Sequence, residues 1–320
     1  MRKVVVLILF ASLTTNACIA QRMDNLASFR DVKSAKYFRF HYDNDVIAQT
    51  DANYTQGTGF ELVAPFFRRN PLNYLFHQPK HAEIRYGLAL EHIGFTPKNY
   101  ELSDIEFGDR PFAAAIMLES FMIAIDTLKR SRFISSISIG FVGPLAFGEQ
   151  MQVGIHKAIG NQIPLGWRHQ IQNDIVINYE IAFEKQLWRF RELFSLQANA
   201  SAKLGTLFTN GSVGVNLTFG RINSPFSSIL KRNGFKLYAY VQPLISVVGY
   251  DATLQGGVFN KMSAYTIPNR EVERFTGQFN YGIVLKTKSL YFEFTRSVIT
   301  REFETGTSAS WGGLKIGFTL

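Results

Sequence analysis

The sequence has almost no cysteine. Its single cysteine, Cys18, lies in an N-terminal stretch that begins with Arg2 and Lys3 and continues as an apolar run. Cleavage after Ala20 would leave a mature chain without cysteine, which excludes the small secreted scaffolds that depend on disulfides. Lipidation of Cys18 is the alternative, although "TNAC" departs from the usual lipoprotein signal.

Long apolar runs are also missing. One run, residues 4–13, is too short to span a bilayer as a helix, and no other run is long and apolar enough. With its basic start and the small residues that follow, it has the layout of a secretory signal peptide, so we expect residues 1–20 to be removed. The exported chain would then consist of an N-terminal extension, residues 21–35, and a main domain, residues 36–320.

Short catalytic motifs are absent as well. The chain has no G-x-S-x-G elbow, no H-E-x-x-H, no P-loop and no G-x-G-x-x-G, so serine acyl-enzyme and zinc-protease chemistry lack motif support. The formal net charge of +9 fits an anionic partner such as nucleic acid or a phosphorylated lipid, although many basic proteins bind neither. With 46% hydrophobic and 14% aromatic residues, the chain is too apolar to be disordered.

The strongest positive signal is apolar alternation with a period of two. In "FSLQANASAKLG", residues 194–205, the large apolar side chains and alanines share one face, and Ser, Gln, Asn and Lys share the other. The stretches "DIVINYEIAFEKQ" and "SLYFEFTRS" alternate in the same way. Half-apolar strands of about ten residues are typical of membrane-spanning barrels. A soluble β-sandwich is the alternative.

Stretches of this kind recur along the whole chain. We predict strands at residues 36–45, 53–64, 82–95, 111–126, 132–143, 170–187, 193–204, 211–220, 235–250, 273–286, 289–301 and 311–320. An even number of strands, with the last one ending at Leu320, is what closure of an antiparallel barrel requires. The predicted fold class is therefore all-β, a transmembrane antiparallel β-barrel of about twelve strands.

The position of the N-terminus sets the orientation of the barrel, and the lengths of the connections agree with it in part. If the mature N-terminus is periplasmic, the outer connections are residues 46–52, 96–110, 144–169, 205–210, 251–272 and 302–310. The returning inner turns are mostly short, as expected for such barrels, but residues 65–81 and 221–234 are long. The sequence gives no role to these two segments or to residues 21–35.

A polar stretch, "YDNDVIAQTDANYTQG", lies at the first outer loop. Asn44 and Asp45 end one predicted strand and Thr55 lies near the start of the next, so a hairpin brings them together. Strict alternation turns Asp43 and Asp45 one way and Asn44 the other, unless a strand-end bulge reorients Asn44. Turn-forming Asp and Asn residues that only start a loop are the plainer interpretation.

Two further outer loops carry candidate functional side chains. The second loop ends in Asp109-Arg110-Pro111, where Arg110 is expected to pair with a rim carboxylate for either structure or function. The third is long, and "EQMQVGIHKAIG" predicts a short helix with Gln152 and His156 on one face. Carboxylate and carbonyl oxygens bind Ca²⁺, and a nearby histidine can activate water for acyl hydrolysis.

These residues, in this order, resemble the outer-membrane lipid A 3-O-deacylase family. The matching pieces are "DNDVIAQTDANYTQG", "FGDRPFAA", "GFVGPLAFGEQMQVGIHKAIG", "GWRHQIQND", "YDATLQGG" and "FTRSVITREFETG". The resemblance implies an outer-membrane barrel that removes the ester-linked 3′-acyloxyacyl chain of lipid A by Ca²⁺-dependent hydrolysis near the outer rim. The implied partner is lipid A, or lipopolysaccharide, in the outer leaflet, and no nucleic acid is expected.

The resemblance also implies roles for individual residues. His156 is the expected general base acting on water. Asn44, Asp45 and Thr55 match polar positions of the site, and Asn44 and Asp45 are the expected metal-binding residues. Gln152 matches a position beside the base.

Substrate binding is expected of Arg110 and Lys98, the latter being near the position of a lysine in the family's second outer loop. The chain departs from the family after the histidine, where it reads "GNQIP" in place of an acidic residue and a tyrosine before the proline. This departure bears on substrate detail and turnover more than on fold. The alternatives are a family barrel that has lost activity and binds lipid or serves structurally, and a narrow passive pore. The oligomeric state is left open.

Overall fold

The computed structural model describes residues 26–48, 53–229 and 234–320, and this part of the chain is a closed antiparallel barrel. Its strands are β1 (Tyr37–Asn44), β2 (Asn53–Val63), β3 (Glu83–Thr96), β4 (Ala113–Asp126), β5 (Ser131–Val142), β6 (Asp174–Phe190), β7 (Phe194–Gly205), β8 (Phe208–Arg221), β9 (Lys236–Asp251), β10 (Phe275–Lys286), β11 (Leu290–Ile299) and β12 (Ala309–Thr319). The predicted fold class and the twelve strands are confirmed within the described ranges. The predicted signal peptide, residues 1–20, lies outside them.

The barrel closes where the first strand meets the last. β1 pairs with β12 from Tyr37↔Thr319 to Asn44↔Gly312, and with β2 on its other side. Because the described strands form a closed ring, their sheet has no edge with unpaired backbone groups. Such an edge would be unfavourable in lipid. Burial alternates along β1, with Arg39 facing the lumen and Phe40 facing lipid. The period of two in the sequence is therefore an alternation of lumen-facing and lipid-facing side chains.

The lipid face of the wall is apolar and exposed. Phe60, Ile177 and Ile245, for example, are 45%, 51% and 60% exposed. A band of this kind is unfavourable in water and is solvated by acyl chains in a membrane. None of the helices in the described ranges is long and apolar enough to cross a membrane.

The largest boundary difference from the prediction is in β6, which is Asp174–Phe190 rather than 170–187. The residues before β6 leave the ladder because the Ile171 N–H donates to the Phe112 carbonyl at 2.8 Å, which ties them to the rim. Periodicity does not reveal this bend, since Ile171 is apolar and continues the alternating pattern.

The described part of the N-terminal extension, residues 26–35, enters the inner end of the lumen; we call this segment the plug. The Ser28 N–H donates to the Glu184 carboxylate of β6 at 2.9 Å. Across the lumen, Arg30 bonds to Glu293 of β11 at 2.9 Å and to the Tyr240 hydroxyl of β9 at 2.8 Å. The side chains of Arg30 and Glu293 have no exposed surface, so the plug is bound to opposite sides of the wall.

Asp31 anchors the plug within a cluster of cations. Its carboxylate lies 2.7 Å from Arg85, 3.7 Å from Arg132 and 3.8 Å from Lys33. Burial alone would raise the pKa of the Asp31 carboxyl, but the three cations outweigh burial and hold this pKa well below its usual range. Asp31 is therefore ionised, and it is the anion around which these cations pack.

The plug bears directly on the passive-pore alternative. Because residues 26–35 fill the inner end of the lumen, we expect the intact protein to show no porin-like conductance in planar lipid bilayers. Deleting residues 26–35 is expected to produce measurable channel openings in those variants that still fold. An open-porin conductance from the intact protein would contradict this function of the plug and favour the pore.

The long inner turn, residues 65–81, folds back over the lipid face of the wall. Asn70 Nδ2 donates to the Ser120 hydroxyl of β4 at 2.9 Å, and the Tyr179 hydroxyl of β6 donates to the Leu75 carbonyl at 3.1 Å. The turn contains two short 3₁₀ helices, and its apolar side chains pack against residues of β3, β4, β5 and β6.

Candidate active site

The helix of the third outer loop, α1 (Gly148–Ile159), lies against the lipid face of β4. A Cβ at Gly148 would come within 2.4 Å of the Ala114 Cβ, so the helix approaches the wall this closely only with glycine there. The buried residues of α1 are Gly148, Gln152 and His156, which follow one another at one-turn spacing. The predicted helix is confirmed, and its Gln152–His156 face is turned towards the barrel.

The His156 side chain is held in one orientation and one tautomer. Its Nδ1 lies 2.5 Å from the Gln162 carbonyl oxygen, and because a carbonyl only accepts, Nδ1 carries the proton. In the neutral ring Nε2 then holds the lone pair that can take a proton from water. The Tyr100 ring packs edge-on against the imidazole at 5.5 Å between centroids. The bond uses the main chain of Gln162, so the side-chain departure at "GNQIP" leaves it intact.

Gln152 connects α1 to the returning part of the same loop. Its Oε1 accepts a hydrogen bond from Trp167 Nε1 at 2.7 Å. Trp167 is buried and packs against the Phe112 ring with 5.0 Å between centroids. The Nε2 of Gln152 is buried and has no hydrogen-bond partner among the described residues. Gln152 therefore fixes the helix and leaves one buried amide donor unused.

From the point where α1 contacts β4, a row of paired residues runs across four strands of the wall. Asn44 of β1 pairs with Gln56 of β2, Gln56 with Gly94 of β3, and Gly94 with Ala114 of β4. Paired residues on neighbouring strands point to the same side of a sheet. Since strands lie about 4.8 Å apart, the row spans roughly 15 Å from the start of α1 to Asn44. We call the lipid side of this row, next to α1, the cleft.

The bulge considered for Asn44 is found in β2 instead, at Thr55. Asn44 keeps its strand alternation and faces away from the lumen. Its Nδ2 donates to the Thr55 carbonyl at 2.9 Å and to the Tyr42 hydroxyl at 3.2 Å. The Thr55 hydroxyl lies 2.5 Å from the Thr96 hydroxyl, and both threonines are buried. A lipid-facing corner of the rim is therefore polar and covered.

The two aspartates that flank Asn44 have different surroundings. Asp43 faces the lumen, where it interacts electrostatically with Lys315. Asp45 follows the end of β1 at the rim and is 1% exposed. Chain adjacency places Asp45 next to Asn44, and the Asn44–Thr55 hydrogen bond brings Asn44 and Thr55 to one corner of the cleft. The role of Asp43 is thus in the lumen rather than in the site.

Arg110 lies on the lumen side of the rim rather than in the cleft. Its guanidinium bonds to Glu302 at 2.6 Å and to the Thr253 hydroxyl at 3.1 Å. It also stacks over the Phe95 ring at 4.1 Å from the centroid. This is the geometry of a structural ion pair, one of the two roles expected from the sequence. Substrate binding by Arg110 stays a prediction.

Lys98 is exposed in the second outer loop. Its backbone N–H donates to the Asp109 carboxylate at 2.9 Å, which fixes the turn. Tyr100, two residues further along, is the ring that packs against His156. Lys98 therefore belongs to the loop that borders His156, and its binding of substrate stays a prediction.

Several side chains of the cleft are missing from the sequence prediction. Tyr100 contacts the His156 ring and Trp167 bonds to Gln152 of the same helix, while Gln56 and Thr96 belong to the wall. Trp167 and Gln56 lie in the quoted stretches "GWRHQIQND" and "DNDVIAQTDANYTQG", but neither stretch shows which of its residues line the site. The alignment of Gln56 with its neighbours depends on the pairing register of β2 and β3, which no local pattern gives.

A closed barrel with an apolar lipid face and a covered polar cleft on that face is an outer-membrane barrel with a candidate site on the lipid side of its wall. The model of one protein family, described as outer membrane protein LpxR, matches residues 5–320. The chain belongs to this LpxR family of outer-membrane proteins.

A solved structure of this family has the same fold. LpxR from Salmonella typhimurium is similar over 89% of this chain and 100% of that chain, with a TM-score of 0.73 and 17% sequence identity. The COG4313 outer membrane channel from Pseudomonas putida F1 has a TM-score of 0.48 and 10% identity, over 93% of this chain and 100% of that chain. None of the curated protein sequences compared with the chain matches it.

Proposed function

We propose that the chain is an outer-membrane ester hydrolase that removes the 3′-linked acyloxyacyl chain of lipid A. The observation that supports the proposal is the buried His156, whose Nδ1 is bonded to the Gln162 carbonyl, so that Nε2 keeps the lone pair that a base needs. The family membership and the sequence resemblance to lipid A 3-O-deacylases support the substrate. A base on the lipid side of the wall suits a substrate that is itself a membrane lipid.

In this mechanism His156 moves one proton in each half of the reaction. Its Nε2 accepts a proton as the water oxygen attacks the acyl carbon, and the carbonyl electron pair moves onto the carbonyl oxygen. When the bond between the acyl carbon and the sugar oxygen breaks, that oxygen takes the proton from His156. The products are a carboxylic acid and a free sugar hydroxyl. No covalent enzyme intermediate is needed, in keeping with a sequence that lacks a G-x-S-x-G elbow.

The corner formed by Asn44, Asp45 and Thr55 is the proposed Ca²⁺ site. When bound there, Ca²⁺ would stabilise negative charge on the carbonyl oxygen. Asn44 and Asp45 would hold the ion through oxygen atoms, which suit a hard cation better than a zinc ion. In the described ranges no three or more His, Cys, Asp or Glu side chains are grouped to hold a metal. The buried Asp45 would therefore be the main charged ligand, which predicts weak binding.

Chelation of Ca²⁺ is expected to stop acyl release. With so few charged ligands, we expect a dissociation constant on the order of 10⁻⁴ to 10⁻³ M. Acyl release from lipid A in detergent should fall to background in excess EGTA and return when Ca²⁺ is restored. Asp45→Asn should raise the half-saturating Ca²⁺ concentration about tenfold, because it removes the anionic ligand.

The matched control for Asp45→Asn is Asp104→Asn, since Asp104 is an exposed acidic residue of the second outer loop. This control should leave the Ca²⁺ dependence unchanged. Direct Ca²⁺ binding by calorimetry gives the same comparison without turnover. Acyl release that persists in excess EGTA would show that the metal role of Asn44 and Asp45 is wrong.

A further inference from the structure

Gln56 is a buried amide on a face of the barrel that is otherwise exposed to lipid. It is 2% exposed, whereas Phe60, on the same strand and the same face, is 45% exposed. Its Nε2 is buried and has no hydrogen-bond partner among the described residues. Because a buried N–H without a partner is unfavourable, such a group in a native structure calls for a water or a ligand.

The position of the Gln56 side chain directs it into the cleft. A Cβ at Gly94 would lie 3.3 Å from Gln56 Cγ and 3.6 Å from Gln56 Nε2. The amide therefore extends from β2 over Gly94 of β3, towards the β4 residue on which α1 begins. Any larger residue at position 94 would crowd this amide, so the missing side chain of Gly94 makes room for it.

The polar groups around Gln56 already have partners. Asn44 Nδ2 donates to the Thr55 carbonyl, and the Thr55 hydroxyl pairs with the Thr96 hydroxyl. Gln56 Nε2 thus remains a donor on the barrel side of the cleft, as Gln152 Nε2 does on the helix side. A cleft with unused N–H donors on both walls is suited to a ligand oxygen that only accepts.

We propose that Gln56 Nε2 donates a hydrogen bond to the carbonyl oxygen of the ester that is hydrolysed, which makes Gln56 a catalytic residue. The identity of this oxygen rests on the proposed function. As water attacks the acyl carbon, negative charge develops on the carbonyl oxygen and the hydrogen bond strengthens, while the proton stays on Gln56. The β2 backbone and Gly94 fix the amide beforehand, so little reorganisation accompanies the reaction.

The first test is kinetic. Gln56→Leu is expected to lower kcat for acyl release by about 100-fold, the usual effect of losing one donor to a developing oxyanion, with KM changed less than about threefold. Gln56→Glu should be equally slow, because an ionised carboxylate keeps the shape of the side chain but does not donate. Loss of folded barrel with a normal kcat per folded molecule would show a structural role and overturn the proposal.

The control is Gln197→Leu. Gln197 is also a fully buried glutamine in a barrel strand, but it faces the lumen, where its Nε2 donates to Ser195 at 2.5 Å. Any general cost of placing leucine at a buried strand position should be the same in both variants. We expect Gln197→Leu to keep the kcat and KM of the wild-type protein.

The second test does not require turnover. Lipid A labelled with ¹³C at the ester carbonyl is bound to His156→Ala protein, and its infrared carbonyl band is compared with and without Gln56→Leu. The band is expected at lower frequency when Gln56 is present, because hydrogen bonding weakens the C=O bond. If wild-type protein releases no acyl chain but the band still depends on Gln56, the hydrolase proposal fails and the Gln56 contact stands. A band that ignores Gln56, or no binding of lipid A, overturns the contact.

Discussion

His156→Ala is expected to lower the rate of acyl release by about 10²- to 10⁴-fold, the usual contribution of a general base. The imidazole extends from α1, is buried, and packs against the Tyr100 ring. Because its Nδ1 is bonded to the Gln162 carbonyl, Nε2 is the nitrogen that we expect to accept the proton. The rate is measured as fatty acid released from lipid A in detergent micelles with Ca²⁺ present.

A second variant separates chemistry from structure. In His156→Asn the side-chain Nδ2 can replace the Nδ1 donor to the Gln162 carbonyl, but no base remains, so we expect a folded and inactive protein. The control is His169→Ala. His169 lies in the same outer loop, but its ring accepts a hydrogen bond from the exposed Arg168 and takes no part in the cleft. Activity within about tenfold of wild type in His156→Ala would contradict the role of His156 as the base.

Asp31→Ala is expected to lower the free energy of unfolding by about 3–5 kcal/mol, because it leaves buried cations without their anion. Arg85, Arg132 and Lys33 all lie within 4 Å of this carboxylate, and the carboxylate itself has no exposed surface. The measurement is urea unfolding of the protein in phospholipid vesicles, followed by tryptophan fluorescence.

The pH dependence of the free energy of unfolding should also depend on the Asp31 carboxylate. The pKa of Asp31 is lower in the folded protein than in the unfolded chain, where it is about 3.9. Its contribution is therefore present above about pH 4 and is lost as the pH falls below that value. Asp31→Ala should reduce this acid sensitivity, whereas Asp104→Asn, on the exposed pair with Arg168, should change neither the stability nor the acid sensitivity. Wild-type stability in Asp31→Ala would contradict the role of the plug as an anchored element.

The sequence predicts the wall of the barrel well because each strand meets two different solvents. Residues such as 194–205 alternate between the lumen and the lipid, and this alternation can be seen directly in the amino-acid sequence. The plug has no such signature. Its partners are distant in the chain, with 156 positions between Ser28 and Glu184 and 263 between Arg30 and Glu293, so only the closed barrel brings them together.

The sequence likewise predicts one part of the candidate site and misses another. The helical spacing of Gln152 and His156 predicts one buried face, and the structure has it. Gln56 lies in a stretch that matches the family, but its place beside Gly94, like that of Thr96 beside Thr55, follows from the register of β2 and β3 and the bulge at Thr55. The side to which Arg110 points depends on the loop that precedes β4, where strand alternation does not apply.

The central claim is tested most directly by mass spectrometry of lipid A from cells that express the wild-type chain or His156→Ala in their outer membrane. We expect wild-type cells to contain lipid A that lacks the mass of the 3′-linked acyloxyacyl group. Cells with the same amount of folded His156→Ala protein in the outer membrane should contain unmodified lipid A. An unmodified lipid A spectrum from wild-type cells, with the folded protein present in the outer membrane, would contradict the account and favour a barrel of this family that binds lipid without hydrolysing it.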